Sequence, residues 1–421
     1  MNFRTVTSGL ALATLGMGFV PGIAVAETFS LWVRSDGSEF MPPLVEAFNA
    51  MGEHEANLQI VPVDELVQRY AIASAGGSAP DALSLDLIFT PAFAEAGQLR
   101  DMTEFTQALP YFGDLSPAHL SVGTVNDRIF GIPFSGDASF LLWNKDLYEQ
   151  AGLDPEAGPT TWAEIEDQAR AISELGDETY GFYFSGNCGG CNIFTFAPLI
   201  WATGGDLLSA DGRTAMLNSD EVIAAIDFYR GMATDGLVPA GSQTDSGANF
   251  FAAFANGNIG ISPSGSFAIG ALNNNYPDLN YGVTFLPGQE TGQFSSFAGG
   301  DNFVISAGTD DSKIPAIEAF IEFAYSLEGQ KILVANGAVP VRGDLAAEVF
   351  EGLDARYLVS AEAMANGRTP YTTVFNDIIN SRNGPWITML NRAFFATSED
   401  EMLKAIEDGQ AEMQSIIDAA N

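Results

Sequence analysis

Apolar positions along this chain switch between strand-like runs and helical spacing at short intervals. Residues 28–34 (TFSLWVR) predict a strand, and Ser35-Asp36-Gly37-Ser38 the loop that leaves it. Pro42 and Pro43 stand where a helix can begin, and Leu44, Val45 and Phe48 give that helix one apolar side. A second strand is expected at 58–63. The Gly-rich stretch 75–81 breaks the chain before a third, at 82–87. Strand, helix and strand in this rhythm predict parallel βαβ units. Such sheets bind ligands beyond the carboxyl ends of their strands, which points to Ser35, Asp36 and Asp86.

The rest of the chain is arranged around residues 131–144. Gly131 and the φ-fixing Pro133 open this stretch, and the apolar run Phe140-Leu141-Leu142-Trp143 fits a buried strand. Between them lie the small or polar residues Ser135, Gly136, Asp137 and Ser139. This reads as a segment crossing between two lobes, with Asp137 on the crossing and facing the gap. Residues 297–305 read as a second crossing, where Gly299, Gly300 and Asp301 precede a buried strand end; residues 338–342 return the chain. Thr161 with Glu164, and Ser398 with Glu401, have capping-box spacing ahead of helices. Ser219 caps another. Phe182-Tyr183-Phe184 is strand-like and leads into a cysteine-bearing loop at 186–190. No repeat or low-complexity linker separates the lobes, so short crossings should join them.

The chain has 421 residues, more than one ordinary core takes and suited to two α/β lobes. We assign 27–136 plus 300–340 to an N-terminal lobe and 137–299 plus 341–421 to a C-terminal one. Residues 1–26 read as a secretory signal peptide. Arg4 is the only charge before Glu27, residues 10–20 are mostly apolar, and Ala24-Val25-Ala26 is a small-residue cleavage pattern. A membrane span is the competing reading, but Gly and Pro interrupt the short apolar core. No other stretch reaches the roughly 18 apolar residues a span needs. No Cys follows the apolar core, which argues against a lipid anchor. The mature protein is expected to be soluble and periplasmic.

Charge narrows the partners. Against 54 acidic residues stand 17 basic ones, for a formal charge of −37, or −38 once Arg4 is removed. A chain this acidic repels nucleic acid and anionic membranes, and its few cations weigh against a polyanionic ligand. Most of the excess reads as a solvated acidic surface.

The two cysteines form Cys188-Gly189-Gly190-Cys191. In an exported protein a close pair is most simply a disulfide; thioredoxin-like redox work is the alternative, and that motif should open a helix after a strand. Only His54 and His119 could add metal ligands, and neither has ligand spacing. No cofactor and no metal are expected. The sequence has no Gly-x-Ser-x-Gly and no His-Glu-x-x-His, so serine hydrolysis and zinc proteolysis find no support. A secreted glycoside hydrolase using two carboxylates remains the alternative to a binding protein, since carboxylates are plentiful.

Several blocks, in order, carry a family likeness. They are the Gly-rich turn ending Pro80-Asp81, residues 131–147 with Ala151-Gly152-Leu153 and 160–165, and then 201–206. Residues 253–257, Gly299-Gly300-Asp301 and Pro340-Val341-Arg342 follow. Together they resemble the extracellular solute-binding proteins of ABC importers, in the maltose-binding-like family that serves sugars and polyols. The likeness covers nearly all of the mature chain. It implies two α/β lobes, each a mostly parallel sheet flanked by helices, closing by hinge bending on a ligand cleft. It implies no enzyme activity, a monomer, a sugar or polyol ligand, and membrane permease subunits as partners. By the same likeness the ligand is met by Ser35, Asp36 and Asp86 from the first lobe. Asp137, Gly300 and Asp301 would meet it from the crossings, and Asn187, Asn192, Phe194, Ser266, Phe267 and Trp386 from the second lobe.

These residue types suit a neutral sugar. An ionised Asp accepts two hydroxyl protons, Asn both donates and accepts, and an aromatic ring offers a flat apolar face. Each has a plainer reading beside it. A loop Asp is commonly a turn or cap residue, and Phe194, Phe267 and Trp386 could equally be core. Trp32 and Trp143 lie within apolar strands and are expected in the core. The family often carries Trp where this chain has Phe267, and the cysteine loop is not a general family feature.

Overall fold

A computed structural model describes Met1 and residues 26–420, without the side chains of Asp36 and Asp64. The expected signal peptide falls almost wholly outside the described residues. The strands that matter here are β1 (Thr28–Arg34), β2 (Glu55–Val61), β3 (Ala82–Asp86), β4 (Ile132–Asn144) and β5 (Tyr180–Phe182). They continue with β6 (Ile259–Gly265), β7 (Tyr281–Thr284) and β8 (Ala298–Ile305). Hydrogen-bonded neighbours run β2-β1-β3-β8-β4-β6-β5, with β7 also on β4. The outer ladders β1–β2, β1–β3 and β5–β6 are parallel, and those of β4 and β8 are antiparallel.

β4 is shared by both halves of this sheet. Its residues 132–138 pair with β8, and its residues 139–144 with β6 and β7. At the changeover the backbones come very close. Gly136 stands opposite Gly300 of β8. On its other side Gly136 N donates to Val339 O at 2.9 Å, and Val339 N donates back to Gly136 O at 2.8 Å. A Cβ on Gly136 would lie 2.8 Å from Val339 O, and one on Gly300 would overlap Ser135 O. Three passes of the chain therefore meet at one point, and glycine is what lets them meet.

Two aromatic cores flank that point. On one side Phe320 packs against Phe48 at 5.2 Å and Phe29 at 5.8 Å, beside Phe134 and Phe303. On the other, Phe184 packs against Tyr229 at 4.6 Å and Phe196 against Phe394 at 4.9 Å. Helices cover both by the spacing the sequence predicts. Ile317, Phe320, Ile321 and Ala324 are buried on helix Ile314–Tyr325; Met402, Ile406, Met413 and Ile417 are buried on helix Glu399–Ala420. The second strand ends at Val61 rather than 63, because Pro62 cannot donate to the ladder and a helix Val63–Ala75 starts there. The capping glutamates also reach one residue further than a capping box would place them. Thr161 Oγ1 accepts from Glu164 N at 3.2 Å, but Glu164 Oε2 accepts from Thr160 N at 2.7 Å. Among the described residues no helix is long and apolar enough to cross a membrane.

Candidate functional site

Arg34 ends β1 and Asp86 ends β3, at the carboxyl edge where sheets of this kind bind ligands. Arg34 Nη1 meets Asp86 Oδ2 at 3.0 Å. Arg34 Nε donates to Asp301 Oδ1 at 2.7 Å, and Nη2 lies 2.6 Å from the same oxygen. Ser84 Oγ donates to the other oxygen, Oδ2, at 2.6 Å. Asp301 is only 1% exposed. It ties β1, β3 and β8 together, so its two oxygens are already engaged without a ligand. Asp86 also accepts from Ile88 N at 3.3 Å, capping the turn that follows β3.

Asp137 sits on the crossing, one residue from the changeover of β4. Its Oδ1 accepts from Ser266 N at 3.1 Å. Burial pushes its carboxyl up to about 7; the Ser266 amide and the nearby Arg34 charge offset only part of that. The folded protein holds this proton more tightly than an unfolded Asp titrating near 3.8. Stability from this group is thus fully present below that value and is lost as pH rises towards 7. Asp137→Asn keeps the acceptor for Ser266 N and removes the titration. The variant should therefore gain on the wild type between pH 4 and 7 and hold that gain above. The gain should be on the order of 1 kcal/mol, well short of the full shift, because the carboxyl keeps some contact with water. His119 works in the opposite direction, since burial depresses it to about 4, but it is common to both proteins and drops out of the difference. Unfolding midpoints of the pair at pH 4.5 and 8 check this; an equal difference at both would show a solvated carboxyl.

Two compartments open around Arg34, Asp137 and Gly300, which line both. The larger, about 970 Å³, has Glu39, Phe40 and residues 335–338 on one wall. Helix Phe267–Asn275 and Tyr357 form the other. Phe267 is 41% exposed, with its ring 6.3 Å from Phe250 and 6.4 Å from Phe251. The smaller compartment, about 380 Å³, has Asp86 and Ile88 facing Ile193, Phe194, Phe375 and Asn380. Phe194 lies 5.7 Å from Phe297, which closes its floor.

The structure thus brings Asp86, Asp137, Phe194, Phe267, Gly300 and Asp301 to one cleft. Other expected site residues lie elsewhere. Ser35 Oγ accepts from Val63 N at 3.1 Å, at the start of the neighbouring helix. Asp36 lies in the turn Ser35–Gly37, and its side chain is outside the described residues. Ser266 is buried, and its hydroxyl is taken up by Ala138 N and O at 3.0 and 3.1 Å. Asn192 is corrected to a structural role. It is 1% exposed and donates to Ser185 O and Cys188 O, both at 2.8 Å. Trp386 is corrected likewise: it is 0% exposed, 6.2 Å from Phe196, and its indole N–H donates to Gly189 O at 3.2 Å. Asn187 is exposed and lines a separate hollow next to the cysteines.

The cysteine segment is also corrected. Cys188 and Cys191 are disulfide-bonded, but residues 189 and 190 are not loop. Cys188 caps helix Gly189–Thr195, with its Sγ accepting from Cys191 N at 3.1 Å. That short helix carries Ile193 and Phe194 to the cleft. Sequence reasoning missed Arg34, Tyr357, Phe375 and Asn380. Arg34 left one usable sign, a cation at a strand end in a chain with only 17 of them.

Residues 32–331 match the family described as bacterial extracellular solute-binding protein, well over half of the chain. The chain belongs to that family. A putative binding protein of Brucella abortus is 25% identical to this solute-binding protein over 249 residues, 59% of each chain. The match thus spans less than two thirds of that relative. The diacetylchitobiose-binding protein DasA of Streptomyces coelicolor is 24% identical over 390 residues, 90% of this chain and 88% of that one. The solved sugar-binding protein MalE of Xanthomonas citri superposes with a TM-score of 0.81 at 21% identity, covering 93% of this chain and 98% of that one. The fold of this solute-binding protein is the two-lobed one, with the cleft at the hinge.

Proposed function

We propose that this protein captures a sugar or polyol between its lobes and delivers it to the permease of an ABC importer. It would do so as a monomer in the periplasm, after removal of residues 1–26. The lobes would be 27–136 with 300–340, and 137–299 with 341–421. The charge of the cleft carries the reading. Its two compartments hold the carboxylates of Glu39, Asp86 and Asp301, and the carboxyl of Asp137, against one cation, Arg34, which already meets two of them. A phosphate or carboxylate would enter a field of its own sign. Hydroxyls instead meet acceptors, and Phe194 and Phe267 offer flat walls for a sugar's C–H face. The names of DasA and MalE support a carbohydrate guest.

Chemistry on the guest finds less support. A glycoside hydrolase needs one carboxyl to give a proton and another to act as base or nucleophile. Here Asp86 and Asp301 are both held by the same guanidinium. A thermal-shift series over neutral sugars and polyols, with mass analysis of the recovered solute, tests both readings. A bound sugar at a hundredfold excess over its Kd should add about 2.7 kcal/mol and come back unaltered. Recovery of shortened saccharide would point to the hydrolase.

A further inference from the structure

We propose that Cys188 and Cys191 are a redox-active pair that exchanges with a small acidic thiol, of the glutathione class, in the hollow beside them. This activity is separate from solute capture. Redox work by Cys-x-x-Cys asks that the motif open a helix after a strand, and here it does. β5 ends at Phe182, and Cys188 caps helix Gly189–Thr195 with Cys191 in the first turn. As a staple the bond adds little. A disulfide stabilises less the shorter the loop it closes, and this one joins residues three apart. Hydrogen bonds already close that turn: Asn192 N donates to Cys188 O at 3.1 Å, and Asn192 Nδ2 to the same oxygen at 2.8 Å.

What the site offers instead is access. Both cysteines are partly exposed, and Cys188, but not Cys191, lines the hollow of about 540 Å³. Gly247 faces the sulfurs without a side chain; a Cβ there would lie 3.0 and 3.2 Å from them. An incoming thiolate therefore attacks Cys188 Sγ. The S–S bond breaks, Cys191 leaves as a thiolate and takes up a proton, and the thiol stays on Cys188 as a mixed disulfide. A second thiolate attacks the thiol's own sulfur and leaves with it, freeing Cys188. Two thiols become one disulfide, and the protein's pair takes up the two electrons and two protons. Cys191 N, 3.1 Å from Cys188 Sγ, is placed to donate to the freed sulfur. The lining suits an acidic thiol. Arg382 is the only charged residue among the described ones that line the hollow, beside Asn187, Thr244, Ser246 and Asn383. Asp245 turns its carboxylate inward, where the Tyr183 and Ser185 hydroxyls donate to it at 2.7 and 2.5 Å.

The test treats the folded, oxidised mature protein with reduced glutathione, alkylates free thiols and counts them by mass. Reduction should run within about tenfold of the rate for the same protein unfolded in urea. With oxidised glutathione, Cys191→Ser should form a mixed disulfide on Cys188 about tenfold faster than Cys188→Ser forms one on Cys191. Arg382→Ala should slow reduction by glutathione about threefold or more and leave reduction by cysteamine, a cationic thiol, unslowed. A bond reduced only as fast as the protein unfolds would overturn the inference, as would equal rates for the two serine variants. Equal slowing of both thiols, or of neither, by Arg382→Ala would overturn the choice of an acidic thiol.

Discussion

An Arg34→Met protein should lose about 3 to 5 kcal/mol of stability, the usual cost of removing one partner from a buried ion pair. The reason lies in what remains. Asp301 is all but sealed from water, and without Arg34 its carboxylate keeps Ser84 Oγ at 2.6 Å but loses the guanidinium that holds its Oδ1. Methionine fills much of the same space, so lost packing is a small part of the effect. The double variant Arg34→Met with Asp301→Asn should recover most of the loss, because the stranded charge is gone. Denaturant unfolding of the two single variants and the double one gives the coupling directly. If Arg34→Met alone unfolds like the wild type, water reaches Asp301 and the pair does not hold the sheet edge together.

Gly300→Val should be comparably severe, at about 3 kcal/mol or more, because two separate costs coincide. Gly300 has φ +112°, a conformation a β-branched residue rarely adopts. Its Cβ would also overlap Ser135 O across the β4–β8 ladder. Gly97 separates the two costs. It too has positive φ, at +67°, but nothing lies within 4 Å of a Cβ there. Gly97→Val should lose only about 1 to 2 kcal/mol, so the gap between the two valine variants reports the closeness of the crossing strands. Equal losses would mean that β4 and β8 can part at little cost.

Much of the fold is legible in the sequence, because strands and helices here keep their own spacing and glycines mark the crossings. The pairs Gly299-Gly300 and Ser135-Gly136 sit where backbones must touch, and residue type alone reveals that. Depth is less legible. Trp386 and Asn192 have the right chemistry for a sugar, yet Trp386 fills a core beside Phe196 and Asn192 satisfies two buried carbonyls. A ring or an amide serves either purpose, and the choice depends on layers contributed by distant segments. Arg34, Phe375 and Asn380 went unseen for the same reason, since they meet only after the tail has folded back. The two glycines between the cysteines suggest a loop, but the sulfur of Cys188 supplies the cap that lets a helix begin there.

The meeting of β4, β8 and residue 339 at Gly136 has a topological consequence. A polypeptide that goes over and back and over again cannot be divided by severing it once. A nick in a surface loop between residues 144 and 298 leaves two fragments that still clasp each other, because β4 falls in one and β8 and residue 339 in the other. The half of the sheet built on β1, β2, β3 and β8 is not a contiguous length of chain, so its edge is complete only once residues 298–305 have come back to it.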